Sequence, residues 1–423
     1  MSSVDESFAV PGSPWGDFVH VVGESLRAHV LAYPSTLIEA CRERVGHPVD
    51  PDHRPHLLAA LAWLERAQDA VGGHGFARGY SMTWNPYFRA QGWQPPYPET
   101  TGYIIATLYF AARHLDRADL KHRAERAAHW EVQIALPSGA VRGGVLGETD
   151  SPAVFNTGQV LLGWLAALDA TACSRFEDAA VRAGQFLVTC LDADGLWCRG
   201  HSRFALERAT LYNTRTAWAL AEAGVRLSVP AFQWAAARNL RAVARLQHAD
   251  GWIPDCCLTD PARPLLHTVA YAIRGLLEGG RVLEDARLIA RAARAAGRIA
   301  EVQRSNGRLP GRFAVGWRPA ARWSCLTGEA QMANIWLRLS EITGERQWRA
   351  PAEAALRWLK STQNRASGNP GLLGGVKGSY PCSGPYGRYQ TLSWAAKFFI
   401  DALMRSERAA AEGSVPDPAS VLA

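Results

Sequence analysis

Six times along this 423-residue chain a threonine stands at the head of an apolar segment. The segments read "ETTGYIIATL" at Thr101, "FNTGQVLLGWL" at Thr157, "YNTRTAWALA" at Thr214, "LHTVAYAIRGL" at Thr268, "CLTGEAQMANIWL" at Thr327 and "YQTLSWAAKFF" at Thr391. Their spacings are 56, 57, 54, 59 and 64 residues. A period of this size means stacked helical hairpins, because one hairpin cannot bury its own apolar face. Threonine near a helix start also suits capping, its hydroxyl accepting from an orphan backbone N–H.

A second series precedes the first, at Gln68, Gln133, Cys190, Gln247, Gln303 and Gln363. Each member closes an amphipathic segment and runs into a glycine, a helix stop signal. The unit is therefore an outer helix, a glycine-rich loop, an inner helix and a short return. The inner set is apolar on most faces; the outer set carries Arg and Glu on one face. Six such units predict an all-α fold, an (α/α)6 toroid over residues 51–405. Residues 1–50 read as an N-terminal extension and residues 406–423 as a flexible tail.

The connections from the glutamine series to the threonine series run 33, 24, 24, 21, 24 and 28 residues. The returns are far shorter. Long loops in a compact fold carry function. Here they should all emerge on one rim, where the inner helices also begin and their dipoles favour anions.

The formal charge of +7 comes mainly from arginines spread among alanines on the outer helices. That is a solvated face, not a nucleic-acid stripe. No apolar run reaches the roughly 20 residues a membrane span needs. The first residues, "MSSVDESFAVPGSPWGDF", show no secretory signal, and eight cysteines lack framework spacing. A cytoplasmic protein with reduced thiols is the expectation.

Just before the inner helices stand Glu99, Asn156, Asn213, His267, Leu326 and Gln390, a ring facing the mouth of a central funnel. Glu99, Glu148, Asp150, Asp255 and Glu329 are the acids of that rim. Glycoside hydrolysis needs two carboxylates, about 5 Å apart for retention or roughly 6.5–9.5 Å for inversion. Glu99 with Asp255 is the preferred pair, since the first and fourth of six hairpins face each other, and Glu329 is the alternate. Asn156, Asn213, Arg215 and Gln390 are candidates to hold a sugar, with Tyr97, Trp93 and Trp252 from the long loops as stacking surfaces. Tyr212 or His267 as a proton acceptor beside Arg215 would instead serve epimerisation or elimination on a uronate. Asp255, Cys256, Cys257 and His267 are zinc-type residues, but no CxxC or HExxH spacing is present, so neither metal nor cofactor is expected.

Glutamine–glycine loops feeding twelve helices resemble the α/α-toroid superfamilies over residues 50–405. These comprise six-hairpin glycosidases, toroid polysaccharide lyases and uronyl epimerases, and the terpenoid cyclase/protein prenyltransferase group. No DxDD motif of the class II cyclases is present. "LLHTVAYAIRGL" is similar to the histidine entrance of prenyltransferase β-subunits, but the preceding entrance, "LYNTRTAW", has no cysteine. "YPETTGYIIATLYFAARHL" is similar in style to glucuronyl C5-epimerase entrances, and such chains resemble cytoplasmic proteins of bacterial surface-polysaccharide loci. The resemblance implies a carbohydrate-active enzyme on a bacterial glycan, with hydrolysis by paired carboxylates as the leading expectation. A uronate epimerase or lyase, an isoprenoid enzyme and a non-catalytic glycan-binding protein remain as alternatives.

Overall fold

The computed structural model describes residues 30–148, 150–200, 210–257 and 260–413. Residues 1–29, where the start of the expected extension lies, and 414–423, the end of the expected tail, fall outside them. A short helix, α1 (Pro34–Arg42), precedes the ring. The outer helices are α2 (Arg54–Asp69), α4 (Ala118–Ile134), α6 (Ser174–Cys190), α8 (Pro230–Leu246), α10 (Ala286–Glu301) and α12 (Arg349–Thr362). The inner helices are α3 (Pro98–Leu115), α5 (Val154–Thr171), α7 (Thr214–Arg226), α9 (Leu266–Val282), α11 (Leu326–Thr343) and α13 (Ser393–Gly413).

Burial follows the sequence pattern. Helix α10 buries Leu288, Ala292, Ala295, Ala296 and Ile299, one face of a 3.6-residue period. Helix α9 buries nearly every side chain from Leu266 to Gly280. Each inner helix packs on the next, and α13 packs on α3, so the inner ring is closed. Helix α13 also packs on α2, so the last inner helix takes the first outer helix as its hairpin partner.

Small residues set how tightly the inner ring closes. A Cβ on Gly102 would lie 2.5 Å from Val160 Cα, and one on Gly163 would lie 2.3 Å from the Gly102 carbonyl. The glycine after Thr157 does the same one helix on: a Cβ on Gly158 would sit 2.7 Å from Thr216 Cγ2.

The glutamine series clips the outer ring. Gln247 donates to Gly251 O in its own loop and to Arg291 O on the next outer helix. Gln303 repeats this with Gly307 O and Pro351 O. Gln363 reaches Gly374 O and His56 O, tying the last outer helix to the first. Where Cys190 replaces glutamine, Asn239 on the neighbouring helix donates to Gly195 O instead. The second copy departs from the sequence register. Gln133 is exposed, and Glu131 is the buried side chain, with both oxygens unpartnered.

The threonines do not cap. Among the inner helices whose starts are characterised, none has a side-chain cap. Thr101 instead accepts from Phe76 N–H, Thr157 from Val141 N–H, and Thr391 donates to Gly371 O. These bonds anchor the first, second and sixth long loops, whereas Thr214 donates to Ala272 O on the next inner helix.

The long loops form a collar and contain short strands that an all-helical reading does not anticipate. They are β1 (Gly79–Asn85), β2 (Ala90–Trp93), β3 (Phe313–Ala314), β4 (Arg318–Pro319), β5 (Ser324–Cys325), β6 (Ser379–Tyr380) and β7 (Gln390–Leu392). The antiparallel sheet β2-β1-β7 joins the first loop to the sixth. Backbone bonds continue the collar: Leu146 to Pro96, Val154 to Gly200, Leu211 to Asp255, Phe313 to Pro264 and Leu326 to Gly378.

The last inner helix runs past the boundary expected at residue 405, and the helix that precedes the ring is tied to the collar. Ser406, where a frayed tail was expected, is buried within α13 and bonds to His53 at 3.0 Å and to Glu353. Helix α1 seats Glu39 and Glu43 on buried Lys377 at 2.5 and 3.1 Å.

Candidate active site

Pro98 occupies the first turn of α3 and lets the chain enter from an extended Tyr97, which places Glu99 at the head of the helix. Glu99 is half-buried, crowded by protein yet open to the mouth of the ring. Tyr97 donates its hydroxyl to Glu99 Oε2 at 2.6 Å. Burial pushes the Glu99 carboxyl up to about 7, against the Tyr97 bond and the charges of Arg78 and Arg215, which pull it down. At neutral pH a large share of this group therefore keeps its proton.

Arg78 comes from the first loop. It donates to Gln94 Oε1 and Gln390 Oε1, at 2.8 and 3.2 Å, and lies over the Trp394 ring at 4.9 Å. Gln94 also donates to Gln390 Oε1, so β7 and the end of β2 hold one guanidinium between two amides. Burial pushes Arg78 down from its ordinary value, while Tyr97, Tyr386, Glu99 and Glu148 act to raise it.

Arg215, at the start of α7, is 3% exposed and bonds neutral Gln159 at 2.6 Å. Its guanidinium sits 5.1 Å from the Tyr271 ring, 5.8 Å from Tyr103 and 5.4 Å from Phe398. The Tyr103 and Tyr271 hydroxyls are buried and adjoin one another. Burial, with Glu99's charge among the further causes, pushes both phenols well up.

His267 bonds Gln331 through Nδ1 at 2.9 Å and packs on Tyr271 and Tyr386. Burial and Arg215 lower it to about 3, so it is neutral at physiological pH and a weak base. Tyr212 packs edge-on against Phe155 and is pushed up by burial, with Glu99's charge reinforcing. Asn156, buried in α5, donates to Arg142 O. Asn213 is buried and bonds Thr210, its Oδ1 left unpartnered.

Of the residues predicted from sequence, Glu99, Tyr97, Asn156, Arg215, His267, Tyr212 and Gln390 are joined through shared neighbours. Glu329 lies elsewhere. It is fully buried, accepts Leu309 N–H at 2.8 Å, and is raised to about 8 by burial, against Leu309, Ser324, Arg308 and Trp358. None of these groups adjoins Glu99. Asp255 is half-buried in the fourth loop at φ 52°, and its carbonyl takes Leu211 N–H. Trp252 is 2% exposed and packed edge-on against Trp317, a wall of the collar. Trp93 packs at a tilt on Trp63 of α2 and edge-on against Tyr80 of its own loop. Among the described residues no group of three or more His, Cys, Asp or Glu is arranged to hold a metal ion, so Asp255, Cys256, Cys257 and His267 do not gather. No helix of the described residues is long and apolar enough to cross a membrane.

Sequence reasoning did not single out Arg78, Gln94, Tyr103, Tyr271 or Trp394. An aromatic two or three residues past the repeat threonine (Tyr103, Tyr271, Trp394) is a signal that the alignment does contain. Arg78 lies inside a long loop and has no such marker.

The chain matches no protein-family model, and no curated protein matches it in sequence. Solved structures do match. An unsaturated glucuronyl hydrolase specific for heparin superposes with a TM-score of 0.65 at 17% identity, over 85% of this chain and 98% of that one. An unsaturated glucuronyl hydrolase from Bacillus sp. GL1, responsible for the degradation of glycosaminoglycan, gives 0.67 at 16% identity, over 84% and 97%. The unsaturated glucuronyl hydrolase of Streptococcus agalactiae gives 0.64 at 12%, over 85% and 93%. The fold is thus the (α/α)6 toroid those glycosidases use.

Proposed function

We propose that this chain is a carbohydrate-active enzyme that hydrolyses a glycoside bearing an acidic, uronate-type sugar, with Glu99 as general acid. The observation that carries the reading is half-buried Glu99, bonded by Tyr97 and acted on by the charges of half-buried Arg78 and buried Arg215, its carboxyl pushed up to about 7 by burial. A general acid must hold its proton at working pH and release it as the leaving group departs. Arg78 and Arg215 would neutralise a sugar carboxylate. Tyr103, Tyr271 and Asn213 would supply polar atoms for hydroxyls. The similarity to enzymes that act on unsaturated glucuronyl groups supports the same substrate class.

In the reaction, the Glu99 proton passes to the glycosidic oxygen as the bond to the anomeric carbon breaks. Water attacks that carbon and gives its proton to a second carboxylate. We assign that role to Glu148 of the second loop, because Arg78 feels both it and Glu99. Asp255 is the alternative from the opposite side of the ring. So many charged and amide groups at the mouth argue against an isoprenoid substrate.

The test uses unsaturated uronyl disaccharides produced by polysaccharide lyases. Cleavage frees the unsaturated uronate, whose ring then opens and rearranges to a keto acid, so the ultraviolet absorption of the sugar double bond is lost. Turnover that Glu99→Gln abolishes supports the reading. Deuterium entering C5 of an intact saturated uronate, without bond cleavage, would overturn it in favour of epimerisation.

A further inference from the structure

The bore continues past Arg215. A cavity of about 200 Å³ lies inside the ring, lined from helices α3, α7, α9, α11 and α13. Thr107 in its wall is eight residues beyond Glu99 on α3, roughly 12 Å along the helix axis. The cavity therefore sits about midway along the inner helices, below the mouth, and shares Arg215 with the site above it.

Its lining holds four cations, Arg215, Arg274, Lys397 and Arg405, and one carboxylate, Asp401. Arginines near helix C-termini are ordinary dipole partners. Arg226, Arg281 and Arg338 fit that description, and each is answered by Glu222, Glu278 or Glu341. Arg405 pairs with Glu341; the other three cavity cations lie deeper and are less well matched. Arg215 is nearly fully buried, and its one hydrogen bond is to a neutral amide. Arg274 shares Glu278 with Arg281 and Arg338, and its Nε is buried without a partner. Lys397 is 6% exposed and pairs with Asp401. Burial lowers its ammonium to about 8 despite Asp401, and Arg215 and Arg274 add to the lowering. Buried positive charge in excess is costly unless an anion answers it. Trp218, Phe110 and Phe398 supply apolar walls beside these cations.

We propose that this inner cavity is a second ligand site, for a compact oxyanion of the phosphate or sulfate type, free or carried on a monosaccharide, held by Arg215, Arg274 and Lys397. The site does not depend on the hydrolase reading, and its test needs no turnover.

The full chain is titrated calorimetrically with inorganic phosphate, with glucose 6-phosphate and with glucose. Binding of phosphate points to the free ion, and binding of glucose 6-phosphate alone points to the sugar-borne one. Either supports the site, provided glucose is at least tenfold weaker. Lys397→Met and Arg274→Gln should each weaken binding tenfold or more. Ala106→Phe, which fills the cavity and leaves its charges in place, should do the same; it covers the case in which a charge variant fails to fold. Glu99→Gln should bind as the wild type does. The proposal is overturned if no anion binds. It is equally overturned if glucose binds as well as its phosphate, or if Glu99→Gln or Arg78→Met abolishes binding that Lys397→Met and Ala106→Phe leave intact.

Discussion

The Tyr97 hydroxyl and Glu99 Oε2 are 2.6 Å apart, and the phenol is the donor. Burial and the Glu99 charge push Tyr97 well above its ordinary range, so it keeps its proton whenever Glu99 loses one. The bond favours the carboxylate form, opposing burial, which favours the acid.

Removing that bond therefore raises the Glu99 pKa. Activity that needs protonated Glu99 should fall as pH rises through about 7 in the wild type. In Tyr97→Phe the alkaline limb of kcat/KM should move to higher pH, and Arg78→Met should move it the same way. A limb that stays in place in both variants assigns it to another group.

Glu99→Gln keeps the shape and the acceptor but has no proton of suitable acidity to give. Turnover should drop by about 10²–10⁴-fold, while equilibrium binding of the disaccharide stays within a few-fold of wild type. Rates near wild type would remove Glu99 from the chemistry.

Glu329 should behave as a structural group. Glu329→Gln retains an acceptor for Leu309 N–H and should leave kcat unchanged. Glu329→Ala leaves that N–H unpaired and should cost about 1–3 kcal/mol in denaturant unfolding. A hundredfold loss of kcat in the glutamine variant, with the fold intact, would return Glu329 to the catalytic set.

Glu131 is completely buried, and burial pushes its carboxyl well above the usual range despite Arg142. The folded state thus holds a proton that the unfolded chain releases above its ordinary value of about 4.5. Its contribution to stability declines as pH rises from there. Glu131→Gln removes that dependence, so the variant should melt higher than wild type at pH 8 and differ less at pH 5. Equal shifts at both pH values would contradict the assignment.

Lys377 holds Glu39 and Glu43 where helix α1 meets the collar. Burial raises Glu39, but His47, Lys377 and Asn364 outweigh it and bring the group to about 2. The stability it contributes is complete above its ordinary carboxylate value and lost as pH falls toward about 2. Lys377→Met should destabilise the chain by about 3–5 kcal/mol and raise the midpoint pH of acid unfolding, as followed by circular dichroism.

The periodic threonines and glutamines, with their two grades of apolar patterning, determined six hairpins, an inner and an outer ring, and a crowded rim. Those are local properties: hydrophobic period and loop length decide which face is buried whatever surrounds it. The glutamine and threonine positions were legible, but their bonding was not. Gln247 clips a neighbouring outer helix 44 residues away, and Thr101 holds a loop rather than capping. Only the closed ring could decide that Glu99 faces the mouth while Glu329, also in the first turn of its helix, turns to Leu309 in the wall. The same holds for Arg78 and Tyr271, from the first loop and the fourth inner helix, which both act on one carboxyl or are acted on by it. Side-chain direction at a helix start depends on which neighbour packs there, and a pKa depends on how much protein encloses the group; neither exists until distant segments meet.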